Sequence, residues 1–138
     1  MPLLINHRGL VAVTPLNGIR VLVVEDEGAV AMLIEEMLED LGCVVVASVA
    51  RLAKASDVAR SIEVDLAMLD VNLAGQLVFP VAEILRDRNI PFLFSTGYGA
   101  SGLHGEFALR PVLHKPFSQS DLEAKIAVAL EATTSDLS

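Results

Sequence analysis

The stretch Asp65-Leu66-Ala67-Met68-Leu69-Asp70-Val71-Asn72 decides the fold. Residues 66–69 are apolar without polar alternation, as expected of a strand that is buried on both faces of a parallel sheet. Asp70 follows directly, at the carboxyl end of that strand, where open α/β sheets bind their ligands. An aspartate at a strand end can also simply begin a turn. The polar residues elsewhere in the chain therefore decide whether Asp70 is structural or functional.

Composition limits the classes of protein to consider. The chain has 138 residues, of which 53% are hydrophobic and only 4% aromatic, so we expect one domain with an aliphatic core. Its net charge of −8 argues against direct binding to nucleic acid, because the phosphates would repel it. No apolar run reaches the roughly 18 residues that cross a bilayer, and no signal peptide is expected. The single Cys43 cannot form an internal disulfide, which fits a cytoplasmic protein.

Apolar runs and helical patterns alternate along the chain. We expect strands at 19–24, 44–47, 66–70, 91–96 and 111–114, and helices at 28–41, 52–61, 79–88 and after Ser118. Four glycines lie between Gly97 and Gly105, so a fourth helix there must be short and weak. Such alternation predicts a doubly wound α/β fold, a parallel sheet with helices on both faces.

Three segments follow from this pattern. Residues 1–18 have no sustained period and end in a turn-like sequence, so they are interpreted as a leader or linker. Residues 19–131 form the domain, and residues 132–138 form a polar tail.

The first helix carries a candidate docking residue, Met32. In a helical projection, one apolar face contains Val30, Leu33, Ile34, Met37 and Leu41. Met32 falls on the opposite face, among Glu35, Glu36 and Glu39. An exposed methionine can anchor a partner helix, although lone apolar residues are also common on protein surfaces.

Polar side chains follow four of the predicted strands. They are Glu25-Asp26, Asp70, the hydroxyl pair Ser95-Thr96, and Lys115. Because the carboxyl ends of parallel strands meet at one sheet edge, one crevice can collect all of these groups. Three carboxylates crowded together cannot all stay ionised without compensation, and Mg²⁺ supplies it, since it takes a few carboxylates and keeps several waters.

These are the chemical groups that phosphoryl transfer requires. A carboxylate attacks phosphorus while a metal ion, a lysine and a hydroxyl hold the phosphoryl oxygens. Asp70 is the nucleophile candidate, and Glu25 and Asp26 would hold the metal with the backbone carbonyl of Asn72. Each group also has a structural interpretation: the acids can cap the first helix, and Lys115 can be a solvated surface residue.

With these motifs in place, the chain resembles the receiver domain of two-component response regulators. The matching pieces are Val23-Val24-Glu25-Asp26-Glu27, Met68-Leu69-Asp70-Val71-Asn72, Ser95-Thr96-Gly97 and Lys115-Pro116-Phe117. The resemblance implies a flavodoxin-like sheet of strand order 2-1-3-4-5. It also implies that Asp70 is phosphorylated by a sensor histidine kinase or phosphotransfer protein, that Lys115 pairs with the phosphoryl group, and that Thr96 is the switch hydroxyl.

The chain departs from the family pattern in two places and resembles one subgroup. Glu25 stands where aspartate is commoner, which leaves open whether it binds Mg²⁺ directly or through water. Val112 stands where the family usually has an aromatic residue that changes rotamer on phosphorylation, so that device cannot operate. The motif from Phe94 to Gly99 resembles a subgroup of stand-alone receivers with a "FATGY"-like motif.

The segment 97–105 is expected to replace the missing aromatic switch. Phosphorylation would pull Thr96 toward the phosphoryl oxygens and order the segment that begins at Gly97. Tyr98 would then cover the site and, with Asn72, limit the access of water to the acyl phosphate. Tyr98 can equally be a loop aromatic that packs on the last helix.

The resemblance implies a cytoplasmic phosphorelay protein, monomeric or weakly dimeric, that switches an unknown downstream protein and turns over no separate substrate. Two alternatives stay open. A phosphohydrolase of the haloacid-dehalogenase type uses similar groups, but it has Asp-x-Asp on its first strand, whereas here Asn72 follows Asp70 by two residues. The other alternative is a receiver-like scaffold that takes no phosphate. Flavin binding is disfavoured, because no Ser/Thr-rich phosphate loop follows the first strand.

Overall fold

The computed structural model describes residues 3–4, 11–12, 16–97, 103 and 105–137, with side chains from Leu16 to Glu131 within those ranges. Five parallel strands form the main sheet: β1 (Arg20–Val24), β2 (Val44–Val49), β3 (Leu66–Asp70), β4 (Phe92–Thr96) and β5 (Val112–His114). Their order is β2-β1-β3-β4-β5, which confirms the predicted topology and places β1 and β3 side by side.

Four helices cover the two faces of the sheet: α1 (Gly28–Asp40), α2 (Leu52–Ala59), α3 (Phe79–Asp87) and α4 (Gln119–Leu137). Ile34 and Leu38 of α1 share one core cluster with Leu122 and Ile126 of α4. The other cluster joins α2 and α3 to the opposite face. Alternate residues of β3 and β4 therefore enter different clusters, which explains why these strands are apolar at every position.

In the described part of the segment between β4 and β5, the helical structure is one turn of 3₁₀ helix, Gly105–Phe107. This agrees with the short, weak helix that the glycines predict. A second short feature follows β3: Asn72–Leu73 pairs with Gln76–Leu77 in a hairpin. Among the described residues, no helix combines the length and the apolar character that spanning a bilayer requires.

The packed domain includes the end of the predicted leader. Leu16 is only 1% exposed and belongs to the α1–α4 core cluster, and the N–H of Gly18 donates to the carbonyl of Gly42 at 2.8 Å. Gly42 ends α1 with φ +92°, where a Cβ would lie 2.9 Å from Oδ1 of Asn17. The boundary at residue 18 was therefore set too late, because a sequence with turn composition also carries a buried leucine.

A capping box begins the last helix, which follows Ser118 as predicted. The N–H of Asp121 donates to Oγ of Ser118 at 3.0 Å, and the N–H of Ser118 donates to Oδ2 of Asp121 at 3.0 Å. The helix continues to Leu137, through most of the segment interpreted as a polar tail. Nothing interrupts it, since residues 119–137 contain neither proline nor glycine.

The buried face of α1 differs from the projected one. Ala31, Ile34 and Leu38 are buried, whereas Leu33 is 51% exposed. The projection favoured the larger side chains and passed over Ala31, a small residue that lets the helix lie close to the sheet. The face that was predicted to be buried is instead partly a surface groove, described below.

Candidate functional site

The four strand ends converge as predicted. A cavity of about 360 Å³ lies at the carboxyl edge of the sheet. Its lining contains Asp26, Glu27, Asp70, Asn72, Ala74, Thr96, Gly97 and Lys115. Asp70 ends β3 at the centre of this edge and is 6% exposed. One fold-wide feature, the parallel direction of all five strands, therefore brings together residues that lie up to 90 positions apart in sequence.

Lys115 joins two of the acids. Its Nζ lies 2.8 Å from Oε1 of Glu25 and 3.1 Å from Oδ2 of Asp70. Burial of Lys115 opposes its charge, but the hydrogen bonds to the two carboxylates outweigh burial and raise its pKa. Lys115 is thus a fixed cation beside Asp70, as predicted for the partner of a phosphoryl group, and the interpretation as a solvated surface residue is wrong.

Glu25 is more deeply buried than Asp70. Its Oε1 accepts the bond from Lys115, and its Oε2 accepts a bond from the N–H of Glu27 at 3.2 Å. Burial is the largest influence on Glu25 and raises its pKa to about 7, against the effect of the Lys115 bond. Both carboxylate oxygens are therefore engaged, and Glu25 does not belong to the lining of the cavity.

The raised pKa of Glu25 predicts a pH dependence of stability in the metal-free protein. Because the folded-state pKa is about 7 and the unfolded value about 4.5, the contribution of Glu25 to stability is complete below pH 4.5 and is lost as the pH rises through 7. Glu25→Gln should remove this loss. Urea unfolding at pH 5 and pH 8 measures it: the wild type should lose more stability between the two than the variant. Parallel pH profiles for both proteins would contradict the assignment, and the exposed Glu83→Gln serves as the control.

The hairpin after β3 contacts Asp26. The N–H of Ala74 donates to Oδ2 of Asp26 at 3.1 Å. Ala74 and Gly75 both have positive φ, +52° and +91°, as a two-residue hairpin turn requires. Oδ1 of Asn72 accepts a bond from the N–H of Gly75 at 2.7 Å, and the N–H of Asn72 donates to Oδ1 of Asp70 at 3.2 Å. The side chain of Asn72 thus braces the turn.

The acids present fit a divalent cation. Glu25, Asp26 and Asp70 each offer one oxygen, and these three oxygens lie within 4.8 Å of one another. Asp26, Asp70 and Asn72 line the cavity, whereas Glu25 is held by Lys115. A hard cation with oxygen ligands is the group that such a donor set accommodates.

The proposed switch residues are Thr96, Gly97, Val112 and Tyr98. Thr96 ends β4, is buried and lines the cavity with Gly97. Val112 is half-buried and packs against the α2–α3 core cluster. Tyr98, which was predicted to cover the site, lies outside the described residues, as do residues 99–102 and 104.

A second cavity adjoins the first and is apolar. It has a volume of about 320 Å³, and its lining contains Val30, Leu33, Ile34, Met37, Lys115, Pro116 and Phe117. We call it the α1 groove. Met32 lies on the same helix and is 66% exposed, but it does not belong to the lining of this groove. Lys115 lines both cavities, so the groove ends at the candidate phosphorylation site.

Two contributors to the site were not predicted from sequence. Ala74 acts through its backbone N–H, and the pair Ala74-Gly75 is not among the strongest hairpin sequences. Glu27 lines the cavity and donates its N–H to Glu25. Its position next to Glu25 and Asp26 was visible in the sequence, but an acid before a helix is equally expected as a cap.

Known proteins share this architecture. The family model described as the response regulator receiver domain matches residues 21–127 of this chain. The transcriptional regulatory protein YvrH of Bacillus subtilis (strain 168) is 32% identical over 118 residues, which cover 82% of this chain and 49% of YvrH. The chain thus spans about half the length of that curated relative.

Among the solved structures that are similar to this chain, three illustrate the likeness. SdrG from Sphingomonas melonis Fr1 has a TM-score of 0.71 and 40% identity, over 85% of this chain and 97% of SdrG. The receiver domain of PhyR from Erythrobacter litoralis has a TM-score of 0.71 and 27% identity, over 83% and 92% of the two chains. The receiver domain of the sensor kinase PA1611 from Pseudomonas aeruginosa PAO1, solved with magnesium in its active site cleft, has a TM-score of 0.70 and 25% identity, over 83% and 98%. The match to the family model covers most of the chain and coincides with the sheet, so this protein belongs to the response regulator receiver domain family.

Proposed function

We propose that this receiver domain is phosphorylated on Asp70 in a magnesium-dependent reaction. A carboxylate oxygen of Asp70 attacks the phosphorus of a phosphohistidine, the P–N bond breaks, and its electron pair stays on the imidazole nitrogen of the donor. The single observation that carries the proposal is the contact of Asp70 with the Lys115 ammonium at 3.1 Å, inside a cavity that also presents Asp26 and Thr96. Uptake of phosphate from acetyl phosphate, followed by intact mass, tests it.

Each residue of the site has a proposed role that follows from its position. Asp26, Asp70 and the backbone carbonyl of Asn72 would hold Mg²⁺, which supplies positive charge to the phosphoryl oxygens during transfer. Lys115 neutralises charge on the other side of the phosphoryl group, and Thr96 donates its hydroxyl. Glu25 acts indirectly, because it holds Lys115 in place and both of its carboxylate oxygens already accept hydrogen bonds. Glu25 would therefore contribute to the metal site mainly by its negative charge and by holding Lys115.

The α1 groove is the proposed docking surface for the kinase or phosphotransfer helix. Its apolar lining suits a helix that lays a hydrophobic stripe into it, which brings a histidine on that helix near Asp70. The surrounding surface is acidic: α1 carries Glu35, Glu36, Glu39 and Asp40, and no lysine or arginine lies between Arg20 and Arg51. We therefore expect basic residues on the partner helix.

Met32→Glu is expected to slow phosphorylation by the kinase about ten-fold, as loss of an interface anchor does. The variant adds a charge to an exposed apolar position of α1, the helix that forms one wall of the groove, and leaves the cavity untouched. Its rate with acetyl phosphate should equal that of the wild type. Leu109→Glu is the matched control, because Leu109 is 97% exposed and lies outside α1. An unchanged kinase rate for Met32→Glu would exclude docking through this residue.

The output of the domain is proposed to depend on the segment 97–105. Thr96 and Gly97 line the cavity, so a phosphoryl group on Asp70 would contact the start of the segment directly. Backbone NMR shifts of residues 97–105 should change on addition of beryllofluoride and Mg²⁺. Through this switch the domain would act in the cytoplasm on a downstream protein.

No turnover of a separate substrate is proposed. The alternative, a phosphohydrolase, needs a second acid to protonate a leaving group. Glu27 is the remaining acid in the cavity lining beside the proposed ligands Asp26 and Asp70, and it is exposed to solvent. Hydrolysis of p-nitrophenyl phosphate would favour the phosphohydrolase, and failure to take phosphate would favour a scaffold.

A further inference from the structure

Ser95 lies in the row of residues that forms the site. In the sheet, Asp70 pairs with Ser95, and Ser95 pairs with Leu113. Residues paired across parallel strands project from the same face, and successive residues of one strand project from opposite faces. The preceding row, Met68 and Leu93, belongs with Leu113 to the α1–α4 core cluster. Asp70 and Ser95, each two residues further on, therefore project from the α1–α4 face.

The side chain of Lys115 passes over Ser95. Lys115 follows β5, and its ammonium contacts Asp70 on β3 and Glu25 after β1. In the sheet order, β4 lies between β5 and β3. Ser95 is the β4 residue on the α1–α4 face at the level of Asp70, so the aliphatic part of Lys115 must cross it. Ser95 is accordingly only 1% exposed.

The hydroxyl of Ser95 is unpaired. Among the buried side-chain nitrogen and oxygen atoms of the described residues, its Oγ stands alone in having no hydrogen-bond partner. A buried hydroxyl without a partner costs free energy, whereas alanine at the same place would not. The placement of this cost beside Asp70 indicates a partner that forms in another state of the site.

We infer that Ser95 is a further functional residue, whose hydroxyl donates a hydrogen bond to Asp70 only when Asp70 is phosphorylated. This inference rests on the proposed phosphorylation. In the resting site, Oδ2 of Asp70 accepts a bond from Lys115 and Oδ1 accepts the N–H of Asn72. When Lys115 turns to the phosphoryl oxygens, the acyl carbonyl oxygen of Asp70 keeps a lone pair that the Ser95 hydroxyl can reach. Because neighbouring strands lie about 4.8 Å apart, rotation about the Cα–Cβ bond of Ser95 would turn its hydroxyl toward this oxygen. Ser95 forms no covalent bond and exchanges no proton.

The variant Ser95→Ala should affect the resting state and the phosphorylated state differently. In the resting protein it removes an unpaired hydroxyl, so its unfolding temperature should equal that of the wild type or exceed it by about 2 °C. In the loaded state it removes a hydrogen bond, so the Kd for beryllofluoride in the presence of Mg²⁺ should rise roughly three- to ten-fold. Ser95→Cys, which keeps a weak donor of similar size, should give an intermediate Kd.

The control is Ser48→Ala, the same change at an exposed position of β2, which should alter neither quantity. A merely structural serine would shift both states equally. Ser95→Ala that binds beryllofluoride as tightly as the wild type overturns the inference and leaves the phosphorylation proposal intact. If the wild type itself does not bind beryllofluoride with Mg²⁺, the phosphorylation proposal fails, and the inference fails with it.

Discussion

Lys115→Met is expected to slow phosphorylation from acetyl phosphate by about two orders of magnitude, the usual effect of removing one preorganised charge partner of a transition state. The ammonium lies 3.1 Å from Asp70 and is held there by Glu25, so only a small turn brings it to the oxygens of an arriving phosphoryl group. Methionine keeps most of the apolar part of the side chain over β4 and removes the ammonium with its charge and its two hydrogen bonds. The rate is measured by intact mass as a function of time.

The same variant leaves Glu25 buried without its partner, which lowers stability as well. The double variant Glu25→Gln with Lys115→Met should recover stability while the rate stays low, which separates folding from chemistry. Lys54→Met on the exposed side of α2 is the control and should react like the wild type. A Lys115→Met protein that takes phosphate within two-fold of the wild-type rate would show that Lys115 is only structural.

Phe94→Ala is expected to destabilise the protein by about 3–5 kcal/mol. Phe94 is fully buried on β4, and its ring lies 5.8 Å from that of Phe79, 5.5 Å from Phe92 and 5.9 Å from Phe107, in each case edge to face. Phe79 in turn stacks on Phe107 at 5.8 Å. The lost contacts therefore include aromatic pairs as well as buried area.

Urea unfolding measures this loss, and Phe117→Ala is the matched control. Phe117 is half-buried beside the α1 groove and has no ring contact among the aromatic pairs described above, so its replacement should cost clearly less. Equal losses for the two variants would mean that the aromatic cluster adds nothing beyond the burial of one ring. The cluster joins β4, α3 and the 3₁₀ turn, so its loss should also loosen the segment that follows Thr96.

The sheet was predictable because its signal is local and repeated. Each buried strand is an apolar run of about five residues, and Asp70 or Thr96 marks the point where it ends. Parallel direction alone then brings the strand ends to one edge, so the residues at the strand ends could be assigned to the site from sequence. The same reasoning gave the cap at Ser118, since both of its hydrogen bonds lie within four residues.

The features that were not predicted correctly from sequence depend on tertiary contacts. The buried face of α1 includes Ala31, whose burial depends on how the helix packs in the fold and not on the hydrophobic period of the sequence. The engagement of both Glu25 oxygens, by Lys115 and by the N–H of Glu27, needs the fold to be known. Leu16 is buried although its neighbours have turn composition, because the turn packs against the end of α1 at Gly42.

The central claim is that Asp70 accepts a phosphoryl group at a site built by distant strand ends. Its most direct test is the intact mass of the wild type and of Asp70→Ala after incubation with acetyl phosphate and Mg²⁺. The wild type should gain the mass of one phosphoryl group, and the gain should be absent from Asp70→Ala and from the wild type with EDTA in place of Mg²⁺. An unmodified wild type, or a variant that gains the same mass, would contradict the claim.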